Sequence, residues 1–196
     1  MTASPPRHNR QERFAYSDYL TWPDDERWEL IDGGAYNMSP APGSIHQRVS
    51  MDLSRQFSTY LKGKPCKVFA APFDVRLSEQ SGLSDDAIET VVQPDLVVVC
   101  DPSKLDDRGC KGAPEIVVEI VSPSTGSYDL TTKFDLYQKY AVKEYWIVMP
   151  GEQAVMVFKL QKNGVYGPPD RFGSSDRVVV EMLDGLIIEL AEVFAE

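Results

Sequence analysis

Apolar residues recur every three to four positions in two long segments, which predicts two amphipathic helices. The first stripe covers 45–61, and we expect Ser44 to cap this helix at its N-terminus and Gly63 to end it. The second stripe covers 128–142. A shorter segment at 16–22 predicts one more helix, which the proline that follows would stop.

Short apolar runs bounded by turn residues predict the strands. Asp32-Gly33-Gly34 favours a tight hairpin within 27–40, because such residues supply positive φ angles in turns. The order of helices and strands predicts an α/β (α+β) fold, a central mixed β-sheet flanked by helices. Further strands are expected at 67–78, 91–101, 113–120, 144–150, 154–160, 177–183 and 186–194.

Length and composition favour a single globular domain. The chain has 196 residues, of which 42% are hydrophobic and 26% charged, and this is ordinary for one domain with a sizeable core. Residues 1–13 are polar and contain two prolines, so we expect a flexible N-terminal arm there and a domain that spans 14–196.

No segment favours a membrane or export. No apolar run approaches the ~20 residues that span a bilayer, and residues 1–12 contain no apolar signal region. Cys66, Cys100 and Cys110 form no Cys-x-x-Cys pair and cannot all pair within one chain. We therefore expect reduced thiols in a cytoplasmic protein, with Cys100 part of the core.

The formal net charge of −10 argues against a protein that coats nucleic acid by bulk attraction. A locally basic groove remains compatible with this charge. Any affinity for nucleic acid is then expected to be modest, sensitive to salt and helped by divalent cations.

Two of the apolar strands carry an acid that is costly to bury. Asp95 lies at the head of the first strand, and Glu119 lies among valines and isoleucines in the second. If these strands pair antiparallel about Asp107, the two acids face each other with Cβ atoms about 4.5–5.5 Å apart. Like charges at that distance repel, so we expect both carboxylates to bind a divalent metal ion, Mg²⁺ or Mn²⁺.

A lysine near such a pair can orient or activate the attacking water, or stabilise the charge that develops on a phosphate. The position two after Glu119 is Val121, so the best available lysine is Lys133 on the following helix. Alternatives stay open: Asp95 solvated at a strand end, and Lys133 a solvated charge on the helix surface. Glu115, at the entrance of its strand, is expected to be a solvated edge charge.

Several segments resemble one known family in their order and spacing. They are "WELIDGG", "MSPAPGSIHQRVSMDLSRQF", "APFDVRLS" and the stretch from "VVQPDLVVVCD" through "APEIVVEIVSPSTGSYDLTTKFDLYQKYAVKEYWIVMP", which together extend over about 13–190. They resemble the Uma-type family of restriction-endonuclease-like proteins, within the PD-(D/E)XK nuclease superfamily. The resemblance implies a restriction-endonuclease-like fold and metal-dependent hydrolysis of phosphodiester bonds.

The resemblance also implies roles for individual residues. Asp95 matches the motif aspartate and Glu119 the motif acid, which makes both of them catalytic residues and metal ligands. The usual motif lysine is absent at Val121, and the family pattern suggests that it has moved to Lys133.

Three further residues match recurring family positions as supporting members of the site. Glu29 would be a further metal ligand or an orienting residue, and His46 would contact water or phosphate. Asp74 would pair with Arg76 or with the site. For Glu29 and His46, purely structural roles in the hairpin and in helix capping remain open. Ala35 departs from the family pattern, in which an acid often follows the Asp-Gly turn.

The leading hypothesis is therefore a Mg²⁺- or Mn²⁺-dependent endonuclease, a hydrolase whose substrate is DNA. A homodimer is expected, because two copies suit the cleavage of both strands of a duplex. A catalytically silent nuclease-fold module for binding or assembly is the first alternative, favoured by the acidic charge and by Val121. Hydrolysis of a small phosphate ester is the second.

Overall fold

The computed structural model describes residues 13–23, 26–38, 42–80, 82–121 and 126–195. The predicted N-terminal arm lies outside these residues except for Arg13, which pairs with Glu89. In the described part of the chain, no helix combines the length and the apolarity needed to cross a bilayer.

The helices are α1 (Tyr16–Tyr19), α2 (Ser44–Leu61), α3 (Gly126–Tyr128), α4 (Phe134–Lys139) and α5 (Leu190–Val193), and a π-helical turn, Asp129–Lys133, joins α3 to α4. The strands are β1 (Trp28–Ile31), β2 (Gly34–Asn37), β3 (Lys67–Ala70), β4 (Asp74–Arg76), β5 (Val91–Val92), β6 (Leu96–Val99), β7 (Leu105–Asp106), β8 (Gly109–Lys111), β9 (Ile116–Ile120), β10 (Glu144–Met149), β11 (Ala154–Lys159), β12 (Asp170–Gly173), β13 (Arg177–Val180) and β14 (Leu186–Glu189).

These strands form two six-stranded mixed sheets and a two-stranded ribbon. The central sheet has the order β12-β11-β10-β9-β6-β3, the peripheral sheet has the order β2-β1-β5-β4-β8-β7, and β13 pairs with β14 in the ribbon. Parallel pairing occurs between β9 and β10 in the central sheet and between β4 and β8 in the peripheral sheet. The predicted fold class is confirmed, but the strands are divided between two sheets where one was expected.

The segment 67–78 shows how the chain passes from one sheet to the other. It was predicted as one strand, but β3 belongs to the central sheet and β4 to the peripheral sheet. Pro72 lies between them and has no backbone N–H to donate, which interrupts a continuous ladder. Asp74 is thereby carried to the peripheral sheet.

The predicted register of the two acid-bearing strands is confirmed. β6 and β9 pair antiparallel, with Leu96 opposite Val118 and Val98 opposite Ile116, so the pairing is centred on Asp107. Continued by one position, the same register brings Asp95 opposite Glu119.

The central sheet is buried on both faces, and alternation along β6 and β9 divides their side chains between two cores. One core contains α2, α5 and the ribbon, with Leu96, Val98, Ile116, Val118 and Ile120 from these strands. The other contains α4 and parts of the peripheral sheet, with Val97, Val99 and Val117 from these strands. Because side chains alternate along a strand, Glu119 points to the second core.

Helix α2 covers the first core much as its apolar stripe predicted. Val49 and Leu53 are buried on the sheet, and Gly63, with a φ of 80°, follows the end of the helix. The predicted cap is off by one residue, because Gly43 occupies the N-cap position and Ser44 begins the helix. Ile45 is 58% exposed and does not join the core.

The prediction of three reduced thiols is wrong. Cys66 and Cys100 form a disulfide bond, because the β3–β6 ladder that pairs Lys67 with Val99 continues to these two residues. Cys110 is a free, buried thiol, and burial raises its pKa to about 12. Cys100 packs against the first core, as predicted.

Candidate active site

Glu119 is the buried centre of the candidate site. Its side chain lies near the end of β9, and its Oε1 accepts hydrogen bonds from Tyr137 OH at 2.7 Å and Lys133 Nζ at 3.0 Å. Burial raises the pKa of Glu119 to about 8, because desolvation and the nearby Asp95 outweigh the attraction of Lys133. The Glu119 carboxyl therefore holds its proton up to a higher pH than an exposed glutamate does.

Lys133 is buried at the centre of a group of acids. Its Nζ lies 3.1 Å from Glu29 Oε1 and 3.9 Å from Asp129 Oδ1, in addition to its bond with Glu119. Burial lowers the pKa of Lys133, but the attraction of Glu119, Glu29 and Asp129 more than offsets this, so the pKa lies well above its ordinary value. The side chain thus remains an ammonium ion, and the alternative of a solvated surface lysine is wrong.

The π-helical turn Asp129–Lys133 determines which face of this helix is buried. The predicted apolar stripe consists of Leu130, Phe134, Tyr137 and Ala141, and Tyr137 is buried as expected. Leu130 is 43% exposed, however, and Ala141 follows the end of α4. Asp129 and Lys133 are buried on the inner face beside Tyr137. Single π-helical turns inside helices are often found at functional sites, and this one carries two ionisable groups to the sheet.

Asp95 and His46 form the more open side of the site, with side chains 21% and 18% exposed. Asp95 Oδ2 accepts a hydrogen bond from the backbone N–H of Ile120 at 2.7 Å and lies 3.1 Å from His46 Nε2. Burial lowers the pKa of His46, but the contact with Asp95, together with contributions from Ile120 and Asp129, raises it by more, so the net shift is upward. His46 is fixed by its place in the first turn of α2.

Glu29 and Asp74 are linked through Gln93. The backbone N–H of Gln93 donates to Glu29 Oε1 at 3.2 Å, and its side-chain amide donates to Asp74 Oδ1 at 2.9 Å. Asp74 also accepts a hydrogen bond from Tyr16 OH at 2.8 Å. Glu29 thus contacts Lys133 directly, whereas Asp74 reaches Glu29 only through Gln93.

The geometry bears on two details that the sequence left open, the partner of Asp74 and the position of Ala35. Arg76, the predicted alternative partner of Asp74, pairs with Asp106. Ala35 lies opposite Leu30 and packs in the small apolar cluster around α1, whereas Tyr36 is the residue opposite Glu29. Since side chains alternate across a hairpin, an acid at position 35 would face away from Glu29.

The structure therefore brings Asp95, Glu119, Lys133, Glu29 and His46 together and places Asp74 one contact further out. Their catalytic and metal-binding roles remain predictions. Sequence reasoning missed Tyr137, Asp129 and Gln93 as members of the site. The first two lie four residues after and before Lys133, and this helical spacing is the signal that could have found them. Gln93 gave no comparable signal.

The chemistry of the donors fits a hard divalent cation held by few protein ligands. In the described ranges of the chain, no group of three or more His, Cys, Asp or Glu side chains is arranged to hold a metal ion. Glu119 uses one oxygen for its hydrogen bonds from Lys133 and Tyr137, and Asp95 uses one for Ile120 and His46. Among the described residues, the other oxygen of each acid accepts no hydrogen bond and is available to a cation. Mg²⁺ commonly takes one or two carboxylates and completes its shell with water and substrate phosphate.

Comparisons with known proteins show both the fold and the family of this chain. The fold is similar to a crystal structure described as a "putative nuclease belonging to DUF820" from Anabaena variabilis ATCC 29413. The TM-score is 0.72 at 18% sequence identity, and the match covers 93% of this chain and 98% of that one, so it shows a shared fold. The chain belongs to the Uma2 family, described as "Putative restriction endonuclease", whose model matches residues 16–191.

A curated relative is the "Uncharacterized protein slr1290" of Synechocystis sp. (strain ATCC 27184 / PCC 6803 / Kazusa), with 30% identity over 122 residues. The match covers 61% of this chain and 60% of the relative, less than two thirds of that protein's length. With the family match, this confirms the resemblance seen in the sequence.

Proposed function

We propose that this chain is a Mg²⁺- or Mn²⁺-dependent endonuclease that hydrolyses phosphodiester bonds in DNA. One observation carries the proposal: the described site holds more buried carboxyl groups than its lysine and histidine can balance. Such an excess is costly unless a proton, as on Glu119, or a further cation offsets it. The family description and that of the structural neighbour name the same reaction class.

Asp95 and Glu119 would hold the cation from neighbouring strands. A bound divalent cation polarises a phosphate oxygen and lowers the pKa of a bound water, which supplies the nucleophile at neutral pH. Asp95 is oriented by Ile120 N–H and His46, and Glu119 by Lys133 and Tyr137. Both carboxylates are thus oriented by the protein before a cation binds.

Lys133 acts as a fixed positive charge. Its raised pKa keeps the ammonium protonated, which favours positioning the attacking water and stabilising charge on the phosphate over taking a proton from that water. Glu29 also holds the ammonium, with its Oε1 3.1 Å from Lys133 Nζ. Tyr137, buried and with its pKa raised by burial, remains a hydrogen-bond donor to Glu119.

The test is nicking of supercoiled plasmid with Mg²⁺ or Mn²⁺ by the natural chain, by Asp95→Asn and by a matched control, Asp101→Asn. Asp101 follows the other end of β6 and is exposed, accepting a hydrogen bond from the backbone of Ser103. We expect nicking that Asp95→Asn abolishes and Asp101→Asn retains. Equal activity in all three chains would remove the site assignment, and activity on nucleotides without any on plasmid would contradict DNA as the substrate.

A catalytically silent module for binding or assembly is the second candidate. The observation that favours it is that Lys133 and Tyr137 already occupy one oxygen of Glu119. Such a module would bind DNA or a second copy of the chain without turnover. Retained plasmid binding together with no nicking at any concentration of Mg²⁺ or Mn²⁺ would favour it over the endonuclease.

Analytical ultracentrifugation tests the predicted homodimer, which a single monomeric species would contradict.

A further inference from the structure

Tyr128 places a phenol at the edge of the site that none of the roles above uses. It ends α3, directly before the π-helical turn, and its ring centroid lies 5.8 Å from Lys133 Nζ. Its ring also packs against Tyr36, with ring centroids 6.2 Å apart, and Tyr36 lies opposite Glu29 in the β1–β2 hairpin. Tyr128 therefore borders both the ammonium and the acids.

The hydroxyl of Tyr128 is buried and has no hydrogen-bond partner in the part of the chain that the structure describes. A buried hydroxyl without a partner is unfavourable, so its presence at a candidate site needs a physical reason. Burial raises the pKa of the Tyr128 phenol, and the charge of Glu29 raises it further. The group is thus a neutral donor throughout the physiological pH range.

The neighbouring donors are already engaged. Lys133 Nζ binds Glu119 and Glu29, and Tyr137 OH binds Glu119. An anionic ligand that approaches these acids is repelled by them and gains most from a donor that has no competing acceptor. Among the described aromatic side chains that border Lys133, Tyr128 offers such a donor.

We infer that Tyr128 is a substrate-binding residue whose hydroxyl donates a hydrogen bond to a non-bridging phosphate oxygen of the DNA backbone. This inference rests on the proposed function, because it takes DNA as the ligand of the same site. Phosphate oxygens accept hydrogen bonds and do not donate them, and hydroxyl side chains are common phosphate contacts in protein–DNA complexes. An ordered water would satisfy the same hydroxyl, and the experiment below separates the two.

The experiment compares Tyr128→Phe with Tyr166→Phe as the matched control. Tyr166 is also a buried tyrosine, but its OH donates to the backbone carbonyl of Val142 at 2.8 Å, away from the acids. Binding of a fluorescein-labelled DNA duplex is measured by anisotropy in Ca²⁺, and stability is measured by urea unfolding. We expect Tyr128→Phe to weaken binding roughly tenfold or more with no loss of stability, and Tyr166→Phe to lose stability while binding normally.

Three results would overturn the inference: unchanged affinity in Tyr128→Phe, a loss of stability in Tyr128→Phe as large as that in Tyr166→Phe, or no duplex binding by the natural chain. Plasmid nicking in Mg²⁺ is scored separately. Duplex binding that depends on Tyr128 without any nicking would contradict the endonuclease but support the phosphate contact. Nicking by the natural chain together with unchanged duplex affinity in Tyr128→Phe would support the endonuclease but contradict the phosphate contact.

Discussion

Two buried glutamates at the two ends of β9 show what separates a structural acid from a site acid. Glu115, directly before the strand, accepts the backbone N–H of Cys100 at 2.7 Å on one oxygen and Lys104 Nζ at 3.1 Å on the other. Glu119 receives both of its hydrogen bonds on one oxygen, from Lys133 and Tyr137. The two acids are similarly hidden, 6% and 4% exposed.

The difference lies in the balance of charge around each acid. Glu115 lies near two lysines, Lys104 and, at 3.8 Å, Lys143. Burial raises the pKa of Glu119, and the charges of Asp95, Asp129 and Glu29 raise it further, against the single opposing charge of Lys133. Burial alone therefore does not distinguish these two acids, whereas the balance of charge around them does.

The largest expected effect is on activity. Glu119→Gln should lower the nicking rate by on the order of a thousandfold, because in the proposed mechanism it removes a ligand of the cation that activates the water. Glu115→Gln should nick at the rate of the natural chain, because Glu115 bonds Cys100 and Lys104 and contacts none of the described residues of the candidate site. Rates on supercoiled plasmid at saturating Mg²⁺ measure both, and equal losses in the two variants would erase the distinction between them.

The next effect is on stability. Lys133→Met should lower the free energy of unfolding by about 3–5 kcal/mol, because it leaves Glu29 and its neighbouring acids buried without their cation. Lys104→Met should cost about 1 kcal/mol or less, because Lys104 is 27% exposed and its pair with Glu115 is screened by solvent. Urea unfolding at pH 7 provides the comparison. Similar losses would mean that the charge around Lys133 is compensated in another way.

The pH dependence of stability should distinguish the two glutamates as well. Burial raises the pKa of Glu119 from 4.5 to about 8, so between these values the folded protein keeps a proton that the unfolded chain has lost. Stability of the metal-free protein should therefore fall as pH rises through this window, by at most about 1.4 kcal/mol per pH unit. Glu119→Gln should lose this slope and Glu115→Gln should keep it. A slope that is the same in all three chains would contradict the raised pKa.

The smallest effect concerns one hydrogen bond. Tyr137→Phe removes a donor from Glu119 and should lower the free energy of unfolding by about 1 kcal/mol. It should also raise the pKa of Glu119 further, since the lost hydrogen bond favours the ionised form. Comparison of urea unfolding curves at several pH values measures both changes, and an unfolding curve identical to that of the natural chain would contradict them.

The sequence predicted the contacts that depend on local rules. The pairing about Asp107 followed from the turn between two apolar strands, and the confirmed register aligns Asp95 with Glu119. Lys133 was found because helical spacing turns it towards the sheet edge, and the π-helical turn then buried it more deeply than an α-helical stripe would suggest. Both features depend on a few residues that are close together in the sequence.

Contacts between distant segments were beyond such rules. Glu115 was expected in solvent, but Lys104 and Cys100 enclose it from the loop and the strand before it. The Cys66–Cys100 disulfide depends on the pairing of β3 with β6, which cysteine spacing does not reveal. Gln93 joins Glu29 to Asp74 only because β1, β4 and β5 meet in the peripheral sheet.

Calorimetric titration of Mn²⁺ into the natural chain, Glu119→Gln and Glu115→Gln tests most directly whether the excess of buried acids holds a divalent cation. We predict saturable binding by the natural chain and by Glu115→Gln, with release of protons in the neutral pH range as the cation displaces the proton of Glu119, and no such binding by Glu119→Gln. Absence of binding in all three chains, or equal binding by Glu119→Gln, would contradict it.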